Sequence, residues 1–218
     1  DLMDRKCLDI SHVKCLVLDE ADEMLDLGFL PDVEKLLRNT PETRQTMLFS
    51  ATMPAAIVGL ARMHMRHPMN IRAEHSTDNQ TVPATAQFIY QAHDLDKPEM
   101  VARMLQAEGA DLAIVFTRTK RQAQRVADDL QERGFKASPL HGDMAQTARE
   151  RALAKFREGK LQVLVATDVA ARGIDVSGVT HVVNYTCPED EKTYVHRIGR
   201  TGRAGASGTA VTLVDWAD

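Results

Sequence analysis

Short apolar runs alternate along the chain with stretches in which apolar residues recur about once per helical turn. The apolar runs are residues 15–18, 46–49, 112–116, 161–165, 180–184 and 209–214. Residues 122–133 and 147–156 show the helical spacing, and the first of these stretches ends at Gly134, as a helix should. Strands that alternate with helices are typical of a parallel sheet covered on both faces, so the pattern predicts an α/β fold.

A polar stretch interrupts this alternation and predicts a linker at residues 74–85. The segment after it, residues 86–218, is long enough for a complete doubly wound domain of five or six strands. The segment before it, residues 1–73, offers two strands and a weaker third at 69–72, which would leave apolar edges and faces uncovered. We therefore interpret it as the C-terminal half of a domain, and we expect it to expose apolar surface and to self-associate.

Composition excludes several classes of protein. The 218 residues are 44% hydrophobic and 27% charged, and they include no apolar run near the roughly 20 residues that a membrane-spanning helix needs. Membrane, collagenous and disordered chains are therefore excluded. The three cysteines show no CxxC spacing, and no secretory signal segment is found, so we expect a cytoplasmic protein.

Charge is distributed unevenly along the chain. The net charge is −4, but the first forty residues hold ten acids and five bases, a sum of −5, so the rest of the chain carries +1. A uniformly basic nucleic-acid binder is thereby excluded. Any nucleic-acid surface must be a local patch.

Two adjacent acids, Asp19 and Glu20, follow the run 15–18, where the ligand sites of open α/β sheets lie. An aspartate there can hold Mg²⁺ through water, and a glutamate can orient or deprotonate a water that attacks a phosphate. The alternative is an acidic first turn of a helix, which the helix dipole favours. We favour function for Asp19 and Glu20, and the helical turn for Asp22 and Glu23 taken alone.

Ser50 and Thr52 follow the next apolar run and place two hydroxyls at the same edge of the sheet. By itself the tripeptide Ser-Ala-Thr indicates little, because Thr52 before Pro54 also suits a helix N-cap.

Thr167 and Asp168 leave the run 161–165, and Gly173 and Asp175 follow about one helical turn later. Thr167 suits a contact to a phosphate, and Asp175 suits a contact to a hydroxyl or an arginine. The alternative is a capped short helix that ends at Gly173. For Asp168 the two interpretations are about even.

The stretch His196-Arg197-Ile198-Gly199-Arg200-Thr201-Gly202-Arg203 is the most specific feature of the sequence. Three arginines in such a stretch are poor material for a core, and a guanidinium is a planar, permanently charged donor suited to a transferring phosphate. The glycines let the backbone pass close to a neighbour. A solvated basic loop is the alternative.

Taken together, these motifs resemble the DEAD-box family of ATP-dependent RNA helicases over essentially the whole chain. The motifs are Asp-Glu-Ala-Asp at 19–22, Ser-Ala-Thr at 50–52, Ala-Thr-Asp at 166–168, Arg-Gly-Ile-Asp at 172–175 and the arginine stretch. His196 at the head of that stretch favours this family over other helicases. The resemblance implies a RecA-like parallel sheet flanked by helices, with one complete C-terminal helicase domain after the C-terminal half of a first RecA-like domain.

The resemblance also implies roles in ATP hydrolysis. Asp19 would bind Mg²⁺ through water, and Glu20 would position the hydrolytic water. Coupling of these events would rest on Asp22, Ser50 and Thr52, together with His196. Gly173 and Asp175 would face ATP, and Arg200 and Arg203 would act as arginine fingers on its γ-phosphate.

For RNA, the resemblance extends to His141-Gly142-Asp143 with the residues that follow it. Contacts to the RNA backbone would fall to Thr119, Gly142, Gln146, Arg149 and Thr167. Contacts to phosphate and sugar carry little sequence specificity, so RNA of many sequences is the expected partner.

The family's adenine-reading segment and its phosphate loop ending Gly-Lys-Ser/Thr are not found, since Gly159-Lys160 is followed by Leu161. We therefore expect this chain to be part of a longer protein, to use ATP and Mg²⁺ only with the missing half, and to be inactive alone. The expected activity of the longer protein is RNA-stimulated ATP hydrolysis with local unwinding of RNA duplexes. Two alternatives stay open, a non-catalytic RNA-binding or partner-binding module and a DNA helicase of the same superfamily.

Overall fold

The computed structural model describes residues 2–71, 85–107, 109–172, 174, 176–202 and 206–216. The chain divides into two compact units, residues 1–76 and 77–218. Among the described residues, the first unit holds two strands and three helices, and the second holds six strands and five helices. None of these helices is long and apolar enough to cross a membrane.

In the first unit, two short strands pair in parallel, β1 (Cys15–Leu18) and β2 (Gln45–Leu48). Its helices are α1 (Ala21–Asp26), α2 (Leu30–Asn39) and α3 (Ala55–His64). A small core of Leu18, Val33, Leu37 and Leu60 lies between these elements.

The expected third strand at 69–72 does not form over residues 69–71, where the backbone is irregular. Met69 and Ile71 are 83% and 78% exposed. The left-handed backbone of His67, followed by Pro68, favours a turn over a strand here. Position 72 lies outside the described residues.

In the second unit, six strands form one parallel sheet in the order β3-β8-β7-β4-β6-β5. They are β3 (Thr85–Gln91), β4 (Ala113–Thr117), β5 (Ala137–Leu140), β6 (Val163–Thr167), β7 (His181–Asn184) and β8 (Gly208–Val214). The helices are α4 (Lys97–Leu105), α5 (Lys120–Glu132), α6 (Gln146–Arg157), α7 (Asp168–Ala171) and α8 (Glu191–Ile198). The predicted α/β fold with a parallel sheet flanked by helices is confirmed.

Strand β4 supplies side chains to two cores. Ala113 and Val115 belong to one apolar cluster, and Ile114 and Phe116 belong to the other. Because successive side chains of a strand point to opposite faces, this alternation shows that both faces of the sheet are covered. A strand buried on both faces reads as a continuous apolar run, which is why the sequence signal was strong.

The structure adds two strands that the sequence did not predict, β3 and β5, and the ends of the predicted strands lie within two residues of their expected positions. Most of the predicted linker, 74–85, lies outside the described residues. Its last residue, Thr85, is the first residue of β3 and pairs with Gly208 in the sheet.

Candidate functional site

Asp19 and Glu20 stand at the carboxyl end of β1, and both side chains are exposed. Glu20 is the N-cap of α1 and has a left-handed backbone, with φ 51°. Its amide donates to Oδ1 of Asp19 at 2.9 Å. A left-handed backbone costs a residue other than glycine about 1–2 kcal/mol, so the turn that presents these two acids is strained.

Asp22, in contrast, is buried at 2% exposure and joins the two strand ends of the first unit. Its Oδ2 accepts hydrogen bonds from the amide and the hydroxyl of Thr52, at 2.9 and 2.7 Å. Its own amide donates to Oγ of Ser50 at 3.1 Å, and that hydroxyl donates to the carbonyl of Thr52 at 2.6 Å. The structure therefore brings together the three residues that the sequence grouped for coupling.

The structure contradicts one of the two simpler interpretations at this edge and agrees with the other. Thr52 is not an N-cap, because α3 begins at Ala55 after Pro54 and the Thr52 hydroxyl is engaged by Asp22. Asp22 and Glu23 do occupy the acidic first turn of α1. Both side chains are also buried in this turn.

The carboxylate of Asp19 suits one kind of metal site, that of a hydrated ion. Among the residues that the structure describes, no cluster of three His, Cys, Asp or Glu side chains is arranged to hold a metal by itself. Mg²⁺ commonly keeps several waters and takes one or two carboxylates together with phosphate oxygens. A single exposed carboxylate fits such a hydrated ion and does not fit a self-contained metal centre.

In the second unit, the residues that the sequence assigned to RNA gather around the ends of three neighbouring strands. Thr119 follows β4, Gly142 follows β5, and Thr167 ends β6, with the order β4-β6-β5 in the sheet. Thr119 is exposed and caps α5 by accepting from the amide of Gln122 at 3.2 Å. Thr167 is 8% exposed and makes no side-chain cap bond to α7.

Gly142 lies beside a charged pair. A Cβ at this position would stand 3.6 Å from Cε of Lys120, an ordinary contact. The Lys120 ammonium donates to Asp143 at 2.6 Å, and this hydrogen bond holds the pKa of Asp143 below its ordinary value. The surface near Gly142 therefore presents a lysine that a carboxylate already neutralises in part.

Gln146 and Arg149 lie in the first turn of α6. Gln146 is exposed and donates to Glu150 at 2.8 Å. Arg149 is half-buried, and its Nε is buried with no hydrogen-bond partner among the described residues. Buried polar atoms are nearly always paired, and a helix N-terminus favours anions, so this position suits an incoming phosphate.

Arg197 corrects the expectation that the arginines of its stretch are poor core material. It lies on α8, is 4% exposed, and donates to both oxygens of Asp168 at 2.7 Å each. Its guanidinium also lies over the ring of Phe116, 5.3 Å from the centroid. The carboxylate neutralises its charge and the ring covers it, and both partners are remote in sequence.

Arg200 lies just beyond the end of α8 and is half-buried. Its Nη1 donates to the carbonyl of Ile174 at 2.9 Å, and its Nε donates to that of His196 at 3.3 Å. His196 itself occupies the last turn of α8. Gly173, Asp175 and Arg203 lie outside the described residues, so their assignments stay predictions.

Two family models match the chain. One described as DEAD/DEAH box helicase matches residues 1–59, and one described as helicase conserved C-terminal domain matches residues 96–205.

Several known proteins are similar over nearly the whole chain. The ATP-dependent RNA helicase CshA of Listeria monocytogenes is 49% identical over 214 residues, which are 98% of this chain and 41% of that protein. The DEAD-box ATP-dependent RNA helicase CshA of Geobacillus kaustophilus is 48% identical, with 98% and 45% covered. S. cerevisiae Dbp5 bound to RNA and ADP BeF3 has a TM-score of 0.82 at 34% identity, with 99% of this chain and 56% of that chain covered. This chain therefore spans less than half the length of the two curated relatives.

Proposed function

This chain belongs to the DEAD-box helicase family, and from that premise we propose that the whole protein is an ATP-dependent RNA helicase. Its reaction would be RNA-stimulated ATP hydrolysis, coupled to the local opening of short RNA duplexes. The observation that carries the proposal is the exposed pair Asp19 and Glu20, which Ala21 separates from a buried Asp22 bonded to Ser50 and Thr52. Hydrolysis of ATP has to respond to bound RNA. Two exposed acids beside a fixed polar network suit such a coupled reaction.

The fold supports a division of labour between two RecA-like domains. We assign residues 1–73 to the C-terminal half of the first, ATP-binding domain, residues 74–85 to a linker, and residues 86–218 to the second domain. The two family models match on either side of the assigned linker. The parallel sheet of the second unit, with helices on its faces, is the RecA-like sheet that this assignment requires.

In hydrolysis, Glu20 would take a proton from the attacking water, and Asp19 would hold hydrated Mg²⁺. The bound ion would neutralise charge on the phosphates. Gly173 and Asp175 would contact the nucleotide, while Arg200 and Arg203 would donate to the γ-phosphate. Asp22, Ser50, Thr52 and His196 would link hydrolysis to RNA binding.

RNA would bind through its backbone at the ends of β4, β5 and β6, where Thr119, Gly142, Gln146, Arg149 and Thr167 lie. The unpaired Nε of Arg149 at the start of α6 supports a phosphate contact there. We propose RNA over DNA because the curated relatives carry the name RNA helicase. Comparing ATP turnover with RNA and with DNA of the same sequence separates the two, since the 2′-hydroxyl is what distinguishes them.

Residues 1–218 alone would serve at most as an RNA-binding or partner-binding module. Backbone amides and a lysine of a phosphate loop hold the β- and γ-phosphates in this type of reaction, and no such loop motif is present in residues 1–218. RNA-stimulated ATP turnover by this chain, absent from its Glu20→Gln variant, would overturn that expectation. We place the whole protein in the cytoplasm, in keeping with the three free cysteines of this chain.

The decisive experiment replaces Glu20 with Gln in the whole protein. The amide keeps the size of the side chain but loses the basicity, so turnover should fall about 10²-fold or more, while ATP and RNA still bind. Glu42→Gln is the matched control, because the Glu42 side chain is 89% exposed and pairs only at the surface with Arg66. Near wild-type turnover by Glu20→Gln would refute the base assignment.

A second experiment tests the RNA surface. Arg149→Ala should weaken RNA binding and reduce the salt dependence of affinity by about one phosphate contact. Arg200→Ala should instead reduce turnover by about 10³-fold, with RNA affinity in the absence of nucleotide little changed. If Arg200→Ala lost RNA affinity but kept full turnover at saturating RNA, its role as a finger would be wrong.

A further inference from the structure

Helix α6 concentrates positive charge. Its 12 residues contain four bases, Arg149, Arg151, Lys155 and Arg157, and one acid, Glu150, so the helix carries a net charge of +3. The whole chain carries a net charge of −4. A strongly basic element in an acidic chain is a local patch of the kind that suits a polyanion.

The outward-facing bases of α6 have no acidic partner within the described part of the chain. Arg151, Lys155 and Arg157 are exposed, and their side chains make no ion pair or hydrogen bond to another residue that the structure describes. By comparison, the exposed Arg103 on α4 pairs with Glu99 at 3.0 Å. The charges on α6 are therefore available to an external anion.

Two of these bases form a stripe along the helix. Arg151 and Lys155 are four residues apart, so their side chains lie on the same face, about 6 Å apart along the axis. That distance is close to the separation of successive phosphates in a nucleic acid chain. Ala152 and Phe156, the next residue in each case, are buried. The helix is therefore packed on one side, while the basic stripe, Arg151 and Lys155, faces solvent.

Helix stability does not account for the basic stripe. The helix dipole favours cations in the last turn, which explains Lys155 and Arg157 there but not Arg151 near the middle of α6. Like charges four residues apart on a helix are slightly destabilising. Arg151 and Lys155 therefore repel each other, and a bound anion would relieve that repulsion.

The basic stripe lies on the helix that also carries part of the proposed RNA surface. Gln146 and Arg149, which belong to that surface, lie in the first turn of α6. Because α6 connects the parallel strands β5 and β6, it runs back from their carboxyl ends toward their amino ends, over about 18 Å. An RNA chain that leaves the strand ends over α6 would therefore meet Arg151 and then Lys155.

A further exposed base lies near the far end of the basic stripe. The carbonyl of Lys155 accepts from the amide of Leu161 at 3.1 Å, and the carbonyl of Lys136 accepts from the amide of the next residue, Gln162, at 2.8 Å. Lys136 immediately precedes β5, is exposed, and has no ion pair among the described residues. Unpaired positive charge thus extends from the middle of α6 to the amino end of β5.

We propose that the basic stripe is a second RNA surface, which binds the phosphates of RNA that leaves the strand ends across the outer face of α6. The inference rests on the proposed function. Contacts of this kind are independent of base sequence and sensitive to salt. An acidic protein segment would meet the same charges, but the position of the stripe on the helix of Gln146 and Arg149 favours RNA.

The test compares the Kd of the whole protein for two single-stranded RNAs of the same base composition, about 20 and about 6 nucleotides long. The short RNA is expected to occupy the strand ends, and the long one to reach α6 as well. The main variant is Arg151→Gln with Lys155→Gln, since glutamine removes both charges but keeps the helix propensity. The matched control, Arg38→Gln with Arg103→Gln, removes the same charge from exposed arginines of α2 and α4.

The main variant should bind the long RNA about tenfold more weakly than wild type, with a much smaller loss for the short RNA. The slope of log affinity against log salt for the long RNA should fall by about 1.4, because each phosphate contact to a single strand contributes about 0.7. The control should bind both RNAs like wild type. The exchange Arg151→Lys with Lys155→Arg should keep the affinity for the long RNA, because each position keeps its charge. Thermal unfolding checks that each variant is folded.

Equal losses for the long and the short RNA would overturn the inference, because the two bases would then act at the strand ends. Equal losses in the main variant and the control would overturn it as well, since net charge alone would explain them. Unchanged affinity for the long RNA, with loss of polyglutamate binding that wild type shows, would assign the stripe to an acidic protein instead. Each of these results leaves the proposed function intact, whereas absence of RNA-stimulated ATP turnover in the wild-type protein would overturn that function itself.

Discussion

The two units contain the same kind of parallel strand but bury it to different extents. Every residue of β4 and β6 is buried, and each of these strands lies between two others. In the first unit, β1 pairs only with β2 among the described residues, and Val17 is 51% exposed. An apolar run therefore becomes a buried strand only where neighbouring strands and helices cover it.

The largest expected effect of this difference concerns two phenylalanines. Phe156→Ala should destabilise the second unit by about 3–5 kcal/mol, because Phe156 is fully buried and its loss leaves a cavity. Phe49→Ala should change the stability of the first unit by about 0.5 kcal/mol or less, since Phe49 is 53% exposed. Urea denaturation, followed by amide exchange in each unit, measures both. Equal costs would show that Phe49 is as well packed as Phe156.

The two units should also differ in how much their exposed apolar residues contribute to self-association. We expect the 218-residue chain to associate through the exposed apolar residues of its first unit, and the double variant Val17→Thr, Phe49→Ser to reduce the association measured by sedimentation. Ile89→Ser is the control, because Ile89 is 71% exposed on edge strand β3 of the second unit. A monomeric wild-type chain with slow amide exchange throughout residues 14–60 would contradict the expectation. If only the Ile89→Ser variant lost association, the associating surface would be assigned to β3.

Among the described helices, side-chain N-caps occur in the second unit, at two of its five helices. Helices α5 and α8 of the second unit begin with side-chain N-caps, whereas α1, α2 and α3 have none. Asp190→Ala should cost the second unit about 1 kcal/mol at pH 7, measured by urea denaturation. Glu189→Ala is the control, since this neighbouring acid makes only a surface pair with Arg118.

The cost of Asp190→Ala should depend on pH. The hydrogen bond from the Thr193 amide holds the pKa of Asp190 below its ordinary 3.8. A depressed pKa in the folded state gives stability that is present above the unfolded value and is lost as pH falls through the folded one. The difference between Asp190→Ala and wild type should therefore shrink in acid. A constant difference down to the lowest pH at which the chain stays folded would contradict this explanation.

The last expected effect is absent at neutral pH and involves Tyr185 in the core of the second unit. Burial, with smaller contributions from the charges of Asp94 and Asp129, raises the pKa of Tyr185 to about 12. A raised pKa gives stability that is fully present below the unfolded value of 10 and is lost as pH rises through the folded value. Tyr185→Phe should remove this loss, so the two chains should diverge in unfolding free energy only in alkali. If the unfolding free energies of wild type and Tyr185→Phe ran parallel from pH 10 to 12, this expectation would be wrong.

How far the sequence predicts this fold depends on where each strand lies. The buried strands β4, β6 and β7 were found within two residues, because continuous apolar runs identify them. Edge strand β5 was missed, since Ser138 and Pro139 interrupt its pattern. A proline is tolerated there because β5 pairs on one side only among the described strands. Edge strand β3 was missed beside the polar stretch taken as a linker.

The sequence likewise predicts the candidate site only in part. The resemblance to the helicase family grouped Asp22 with Ser50 and Thr52, and the structure brings these residues into contact. The burial of Arg197 could not be predicted, because nothing local in the sequence tells that this arginine turns inward. Its partner Asp168 is 29 residues away, and only the packing of α8 against the sheet selects it.

The left-handed backbone of Glu20 has a consequence for how this protein tolerates change. Glycine would adopt that backbone without strain, so at this one position heat tolerance and turnover favour different residues. A population selected only for thermal resistance should accept Glu20→Gly, whereas one selected for turnover should keep glutamate and its strain. The conflict is an instance of the trade-off between stability and activity, confined to a single backbone angle.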